Sequence, residues 1–184
     1  MKEIGHVEKE SRIVGALETR QKPTAEVFEF ISSKTGVEPN NITLAVAPTA
    51  SAAGGVQVVA RSVETALHKL HELGFDLARI LAGKGSAPIP PTADDDLAAI
   101  GRTNDAVLYG ARVELEVAGD DESIAELGAK TPSCASGDHG ALFSEIFERY
   151  GRDFYKIDPG LFSPAEVIFR NLDTGSEFTF GNLE

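Results

Sequence analysis

The stretch that most constrains the fold lies between residues 42 and 73. Residues 42–47 (ITLAVA) form a short, nearly all-apolar run, which suits a buried strand. A loop of small residues follows at once (residues 48–55, PTASAAGG). A helical pattern then runs over 56–73 until Gly74 stops it. At about 100° per residue, Val56, Val59, Val63, Leu67 and Leu70 share one helical face, which reads as the core side. Arg61, Glu64, His68 and His71 line up on a stripe beside it. Ser62, Thr65, Lys69 and Glu72 fall on the outward side. A polar stripe bordering a core face is where a cleft wall would lie.

The rest of the chain supplies further elements. Strands are expected at 11–17 and 77–82, and a helix over 25–35 between Thr24 as N-cap and Gly36. Residues 83–92 read as a loop, because Pro88, Pro90 and Pro91 forbid regular structure there. A short helix is expected over 94–100, then one long strand over 106–117 or two strands broken at Gly110. A polar helix over 120–130, a Ser- and Gly-rich loop over 131–140 and an amphipathic segment over 142–150 follow. Runs at 165–171 and 176–180 flank Asp173, Thr174 and Gly175 as a hairpin. The expected fold class is α/β, turning α+β towards the C-terminus: a layered sheet with helices, read as one compact region over 1–184.

Composition narrows the function classes. The chain has 184 residues, 42% hydrophobic and 25% charged, as in a soluble globular protein. No apolar run approaches the roughly 20 residues of a membrane span. The net charge of −12 opposes a phosphate backbone, so nucleic acid is not an expected partner. The charged N-terminus lacks the apolar core of a signal peptide. Cys134 is the one cysteine, so no internal disulfide can form, and the expected compartment is the cytoplasm.

Several residues could carry chemistry. Glu64 suits a general base or acid, with Arg61 one turn away to hold it; the same spacing also describes a solvated i,i+3 ion pair. Glu64, His68 and His71 stand at i, i+4 and i+7, a spacing that could bind zinc, but no HExxH pattern accompanies them. The 48–55 loop offers backbone N–H groups at a helix start, an anion site, or simply allows close helix–strand packing. It matches neither dinucleotide-binding nor P-loop patterns, and no G-x-S-x-G elbow anchors a hydrolase triad. Cys134 lies near His139 in a small-residue loop, as a nucleophile or as filler.

At these residues the chain resembles the methenyltetrahydromethanopterin cyclohydrolases. The blocks are APTASAAGGVQVVARSVETALHKL at 47–70, APIPP at 87–91, IGRTNDAVLYG at 100–110, DFYKID at 153–158 and FSPAEV at 162–167. They occur in order from about Ile4 to Phe180, closer to the bacterial, methylotroph-type members. The resemblance implies hydrolysis of the N5,N10-methenyl group to the N5-formyl compound, reversibly, with no metal and no other cofactor. It places the family's catalytic Arg and Glu on Arg61 and Glu64. Thr49, Ser51, Gly54, Gly55, Arg102, Asn104 and Asp105 become candidates for pterin or tail contacts. It also implies a two-part α/β chain with a pterin cleft and a trimeric assembly. The family's N-terminal region has no counterpart here, so the alternative expectation is a non-catalytic or split-enzyme subunit that binds pterin or a partner chain. Cys134 stands where the family would have Ser.

Overall fold

The computed structural model describes residues 8–184; the charged residues 1–7, including Ile4 where the resemblance begins, lie outside them. Where the sequence reads as one region over 1–184, the contacts divide the chain into two compact units. The first ends at Thr49 and the second is Ala50–Glu184.

The first unit is a β–α–β motif. Strand β1 (Ile13–Glu18) pairs in parallel with β2 (Ile42–Ala47), Ile13 opposite Ile42 and Glu18 opposite Ala47. Helix α1 (Ala25–Thr35) joins them, because parallel strands need a crossover. Gly36 ends α1 in the left-handed region (φ 75°), its N–H donating to the Ser32 carbonyl. Thr24 occupies the N-cap position, but its hydroxyl makes no capping bond.

The second unit holds α2 (Ala52–Val59), α3 (Ser62–Glu72), β3 (Ile80–Ser86), α4 (Asp96–Leu108), β4 (Arg112–Val117), α5 (Asp121–Gly128), α6 (Phe143–Arg149), β5 (Glu166–Asn171) and β6 (Glu177–Gly181). The sheet order is β3-β4-β5-β6, with β4 and β5 parallel and both outer pairs antiparallel. Alternation along β4 and β5 sends Val113, Leu115, Val117, Val167 and Phe169 to one face. There they meet Ala66 and Leu70 of α3, Phe75, and Ile124 of α5. A second cluster, Leu108, Phe143, Ile146, Phe147, Ile157 and Leu161, joins α4 to α6. This is the layered α/β architecture expected. Among the described residues no helix is long and apolar enough to cross a membrane.

Several boundaries differ from the sequence reading: helix α2 starts at Ala52, inside the expected 48–55 loop, and β4 starts at Arg112, not at 106. The 56–73 helix is two helices, because its halves serve different cores: Val59 packs with Val107 and Ala111, whereas Ala66 and Leu70 pack on the sheet. The break turns Val56 out to 43% exposure and buries Ser62 and Lys69, which read as outward-facing. Strand β3 starts at Ile80 after a 3-10 turn and runs through Gly83 and Gly85, held by its ladder with β4. Helix α4 continues to Leu108, beyond the expected end at 100. Thr103 and Asn104 turn their side chains back to the helix's own carbonyls, at Ala99 and Ile100, and Val107 and Leu108 are buried. Tertiary packing overrides the weak helix propensity of that stretch.

Candidate active site

The junction between α2 and α3 carries the charged pair. Ser51 caps α2, its Oγ accepting from Gly54 N at 2.9 Å, and Ala50 N donates to Asp96 Oδ1 at 3.0 Å. Helix α2 ends at Val59, and Arg61 (φ −92°, ψ 16°) becomes the N-cap residue of α3. Glu64 therefore sits in the first turn of α3, where the helix dipole favours a carboxylate. Arg61 Nε lies 3.3 Å from Glu64 Oε2, with side chains 56% and 67% exposed. A pair this open adds only about 0.3–0.5 kcal/mol to folding. Both groups are accessible to a ligand.

The sequence blocks meet in space around this junction. Strand β3 leads into the proline loop. A Cβ on Gly55 would stand 3.7 Å from Pro90, and one on Gly110 would press on Pro88 at 2.6 Å. Gly55 is thus within ordinary contact distance of the loop, and Gly110 is the point where the α4 exit approaches it too closely for a side chain. Arg102 Nη1 donates to the Thr92 carbonyl at 2.9 Å, tying the loop's far end to α4. Residues 50–64, 87–92 and 100–110 therefore form one continuous structure.

The remaining candidates have structural engagements of their own. Thr49 is buried at the end of the first unit and its hydroxyl donates to Glu18. Gly54 and Gly55 are buried in α2. Asn104 Nδ2 donates to the Ile100 carbonyl. Asp105 Oδ1 accepts from Phe143 N at 2.7 Å, at the start of α6. Burial pushes the Asp105 carboxyl above its usual range; the Phe143 N–H opposes this, and Glu145 adds to it. Arg102 is exposed, Asn104 and Asp105 are half-buried.

His68 and His71 do not converge with Glu64. His68 Nε2 lies 4.0 Å and His71 Nδ1 3.9 Å from Glu72 Oε1. Among the described residues no three His, Cys, Asp or Glu side chains form a metal-ligand cluster. Cys134 is exposed. The His139 ring lies 4.9 Å from that of Tyr109 in a tilted arrangement, and the Tyr109 hydroxyl donates to the Ala141 carbonyl.

Sequence reading missed several supports of this region. Lys69 is buried on α3 and its Nζ donates to the Gly160 carbonyl at 2.7 Å. Burial lowers its pKa, with Asp158 pulling the other way. Asp158 in turn accepts from Ser136 Oγ and Gly160 N. Asp96 was legible only as one of an acidic run. Gly83 and Gly85 lie in β3 and not in the expected 83–92 loop; two glycines at an i,i+2 interval after an apolar run are a signal of close backbone approach.

A family profile described as Cyclohydrolase (MCH) matches residues 1–184, and the chain belongs to that family. Relatives named methenyltetrahydromethanopterin cyclohydrolase support this. That of Rhodopirellula baltica is 50% identical over 172 residues, covering 92% of this chain and 52% of its own length. That of Xanthobacter autotrophicus is 50% identical over 182 residues, covering 99% and 54%. That of Methanocorpusculum labreanum is 42% identical over 181 residues, covering 98% and 57%. The chain spans about half the length of these curated relatives.

Proposed function

We propose that this chain hydrolyses N5,N10-methenyltetrahydromethanopterin to the N5-formyl compound, with Glu64 as general acid/base and Arg61 orienting it. The observation that carries this reading is the Arg61–Glu64 pair at 3.3 Å, open to solvent. It lies within residues 1–184, which a family profile described as Cyclohydrolase (MCH) matches as a whole, and relatives at 50% identity bear the name methenyltetrahydromethanopterin cyclohydrolase.

The chemistry follows from the substrate. The methenyl carbon lies between two nitrogens as an amidinium-like cation and is already electrophilic. Water adds to it while Glu64 takes a proton from the water, giving a neutral hydroxy adduct. Collapse of the adduct to the formyl C=O breaks the C–N10 bond. Glu64 returns its proton to N10, and the hydroxyl proton leaves to solvent, so one water is consumed and one proton released. One carboxylate performs both transfers if it starts ionised. The Arg61 guanidinium, 3.3 Å from Glu64 Oε2, orients the carboxylate.

The reaction as written draws on no metal and no second cofactor. Thr49, Ser51, Gly54, Gly55, Arg102, Asn104 and Asp105 remain the candidates for pterin and tail contacts, and Arg102 is the exposed cation among them. We place the protein in the cytoplasm on its single, exposed cysteine. We expect a homo-oligomer, a trimer by resemblance, with no nucleic-acid or membrane partner. Exposed Val14 and Phe30 in the first unit support association.

The test is loss of the methenyl absorbance on adding the purified protein to methenyltetrahydromethanopterin. Turnover above the spontaneous rate is the expected result. Binding without turnover would make the chain a subunit that needs a partner, and neither binding nor turnover would remove the proposal.

A further inference from the structure

The geometry points to Gly85 as a positioning residue: its bare backbone seats the first turn of α3 and so sets the spacing of Arg61 and Glu64. This rests on the reading of those two as the reacting pair. Strand β3 runs antiparallel to β4, with Gly83 opposite Leu115 and Gly85 opposite Val113. By alternation both glycines face the side of the sheet that carries α3. A Cβ on Gly85 would overlap Ser62 Oγ and stand 3.0 Å from Val63 Cγ2. One on Gly83 would stand 3.1 Å from Leu115 Cδ2 and 3.2 Å from Val63 Cγ1.

Neither glycine has a positive φ. Their backbone conformation is one that any residue adopts, so the demand at these positions is for space. Glycine weakens a strand, and two in a seven-residue strand call for such a reason. The helix has little freedom to retreat. Ser62 is 3% exposed, Thr65 Oγ1 donates to the Ser62 carbonyl at 2.7 Å, and Val63 packs on the sheet core. Arg61 precedes Ser62 directly and Glu64 follows two residues on. A methyl group at residue 85 therefore displaces the turn that holds both charged side chains.

Three proteins are compared: wild type, Gly85→Ala, and Gly85→Ala with Ser62→Ala, which removes the overlapped hydroxyl. Gly85→Ala is expected to lower kcat roughly tenfold with KM within about twofold, since a small misplacement of reacting groups acts on the chemical step. The double variant is expected to recover most of the loss. The Arg61 Nε–H resonance, read by NMR in the same proteins without substrate, should shift in Gly85→Ala and return in the double variant. An unmoved Arg61 resonance together with wild-type kcat would overturn the inference. So would a loss of kcat that tracks the melting temperature and is not recovered by Ser62→Ala. If the wild type shows no turnover, the functional reading fails first, and the Arg61 resonance still decides whether Gly85 sets the geometry of the pair.

Discussion

The two units leave a sheet face open in different ways. In the first unit alternate residues of β1 are exposed, Val14, Ala16 and Glu18, and on β2 Thr43, Ala45 and Val46 are exposed, so apolar and polar side chains share the open surface. Helix α1 buries no residue fully, and Phe30 is 64% exposed. In the second unit the open face of the sheet is charged. Glu114 Oε2 lies 3.0 Å from Lys84 Nζ and 3.2 Å from Arg170 Nη2, and Arg170 Nε donates to Glu177 at 2.9 Å. Its opposite face holds side chains with no exposure at all, Leu115 and Phe169 among them. A mixed sheet with one apolar and one charged face is finished in water, whereas an all-parallel sheet such as β1–β2 is ordinarily covered on both faces. The second unit, which carries the charged pair, supplies its own support; the first keeps Val14 and Phe30 exposed.

The largest expected effect strikes the finished core. Phe169→Ala should cost about 3–5 kcal/mol in urea unfolding, because a large ring leaves a cavity at the centre of the sheet. A cost under 1 kcal/mol would mean that the core is far looser than its burial indicates. Helix caps give the next contrast. Asp95 Oδ1 accepts from Ala98 N at 2.8 Å, so Asp95→Ala should cost about 1 kcal/mol. Thr24→Ala in α1 should cost only a few tenths, since the Thr24 hydroxyl makes no capping bond. Equal losses would erase the distinction.

Asp105 provides a pH test within the second unit. Burial raises its folded pKa above the unfolded value, so the folded state binds the proton more tightly. Its stabilising contribution is full below the unfolded carboxylate pKa and is lost as pH rises through the folded one. Asp105→Asn keeps an acceptor for Phe143 N, and its stability relative to wild type should rise with pH across that window. A flat difference between the two proteins would contradict the assignment. The smallest stability effects belong to the first unit: Phe30→Ala should change unfolding by about 0.5 kcal/mol or less. Val14→Asp should likewise leave stability nearly unchanged while weakening self-association in sedimentation. Unaltered sedimentation would remove Val14 from any interface.

Much of this was legible in residue order. The β1–α1–β2 succession, the β5–β6 hairpin and the Arg61/Glu64 spacing all follow from periodicity and turn residues. What escaped was set by tertiary contacts. Nothing in residues 56–73 marks a break, since no proline or glycine falls between 56 and 73; the turn at Arg61 exists because two cores pull on the two halves. Lys69 read as a surface cation because its partner, the Gly160 carbonyl, is 91 residues away. Helix α4 passes through Gly101 and three residues that favour caps and turns, which local propensity marks as a terminus. The glycines of β3 looked like loop because their requirement lies in another element, the first turn of α3.

The most direct test sets two carboxylates of one helix against each other. Glu64 and Glu72 both lie on α3 and both are more than half exposed; only Glu64 is paired with Arg61. Loss of methenyl absorbance would be followed with Glu64→Gln and Glu72→Gln beside wild type. We predict that Glu64→Gln lowers kcat at least about a hundredfold, the range of positioned acid–base catalysis, and that Glu72→Gln stays within about twofold of wild type. Equal activity in the two variants would contradict the assignment of the chemistry to the start of α3.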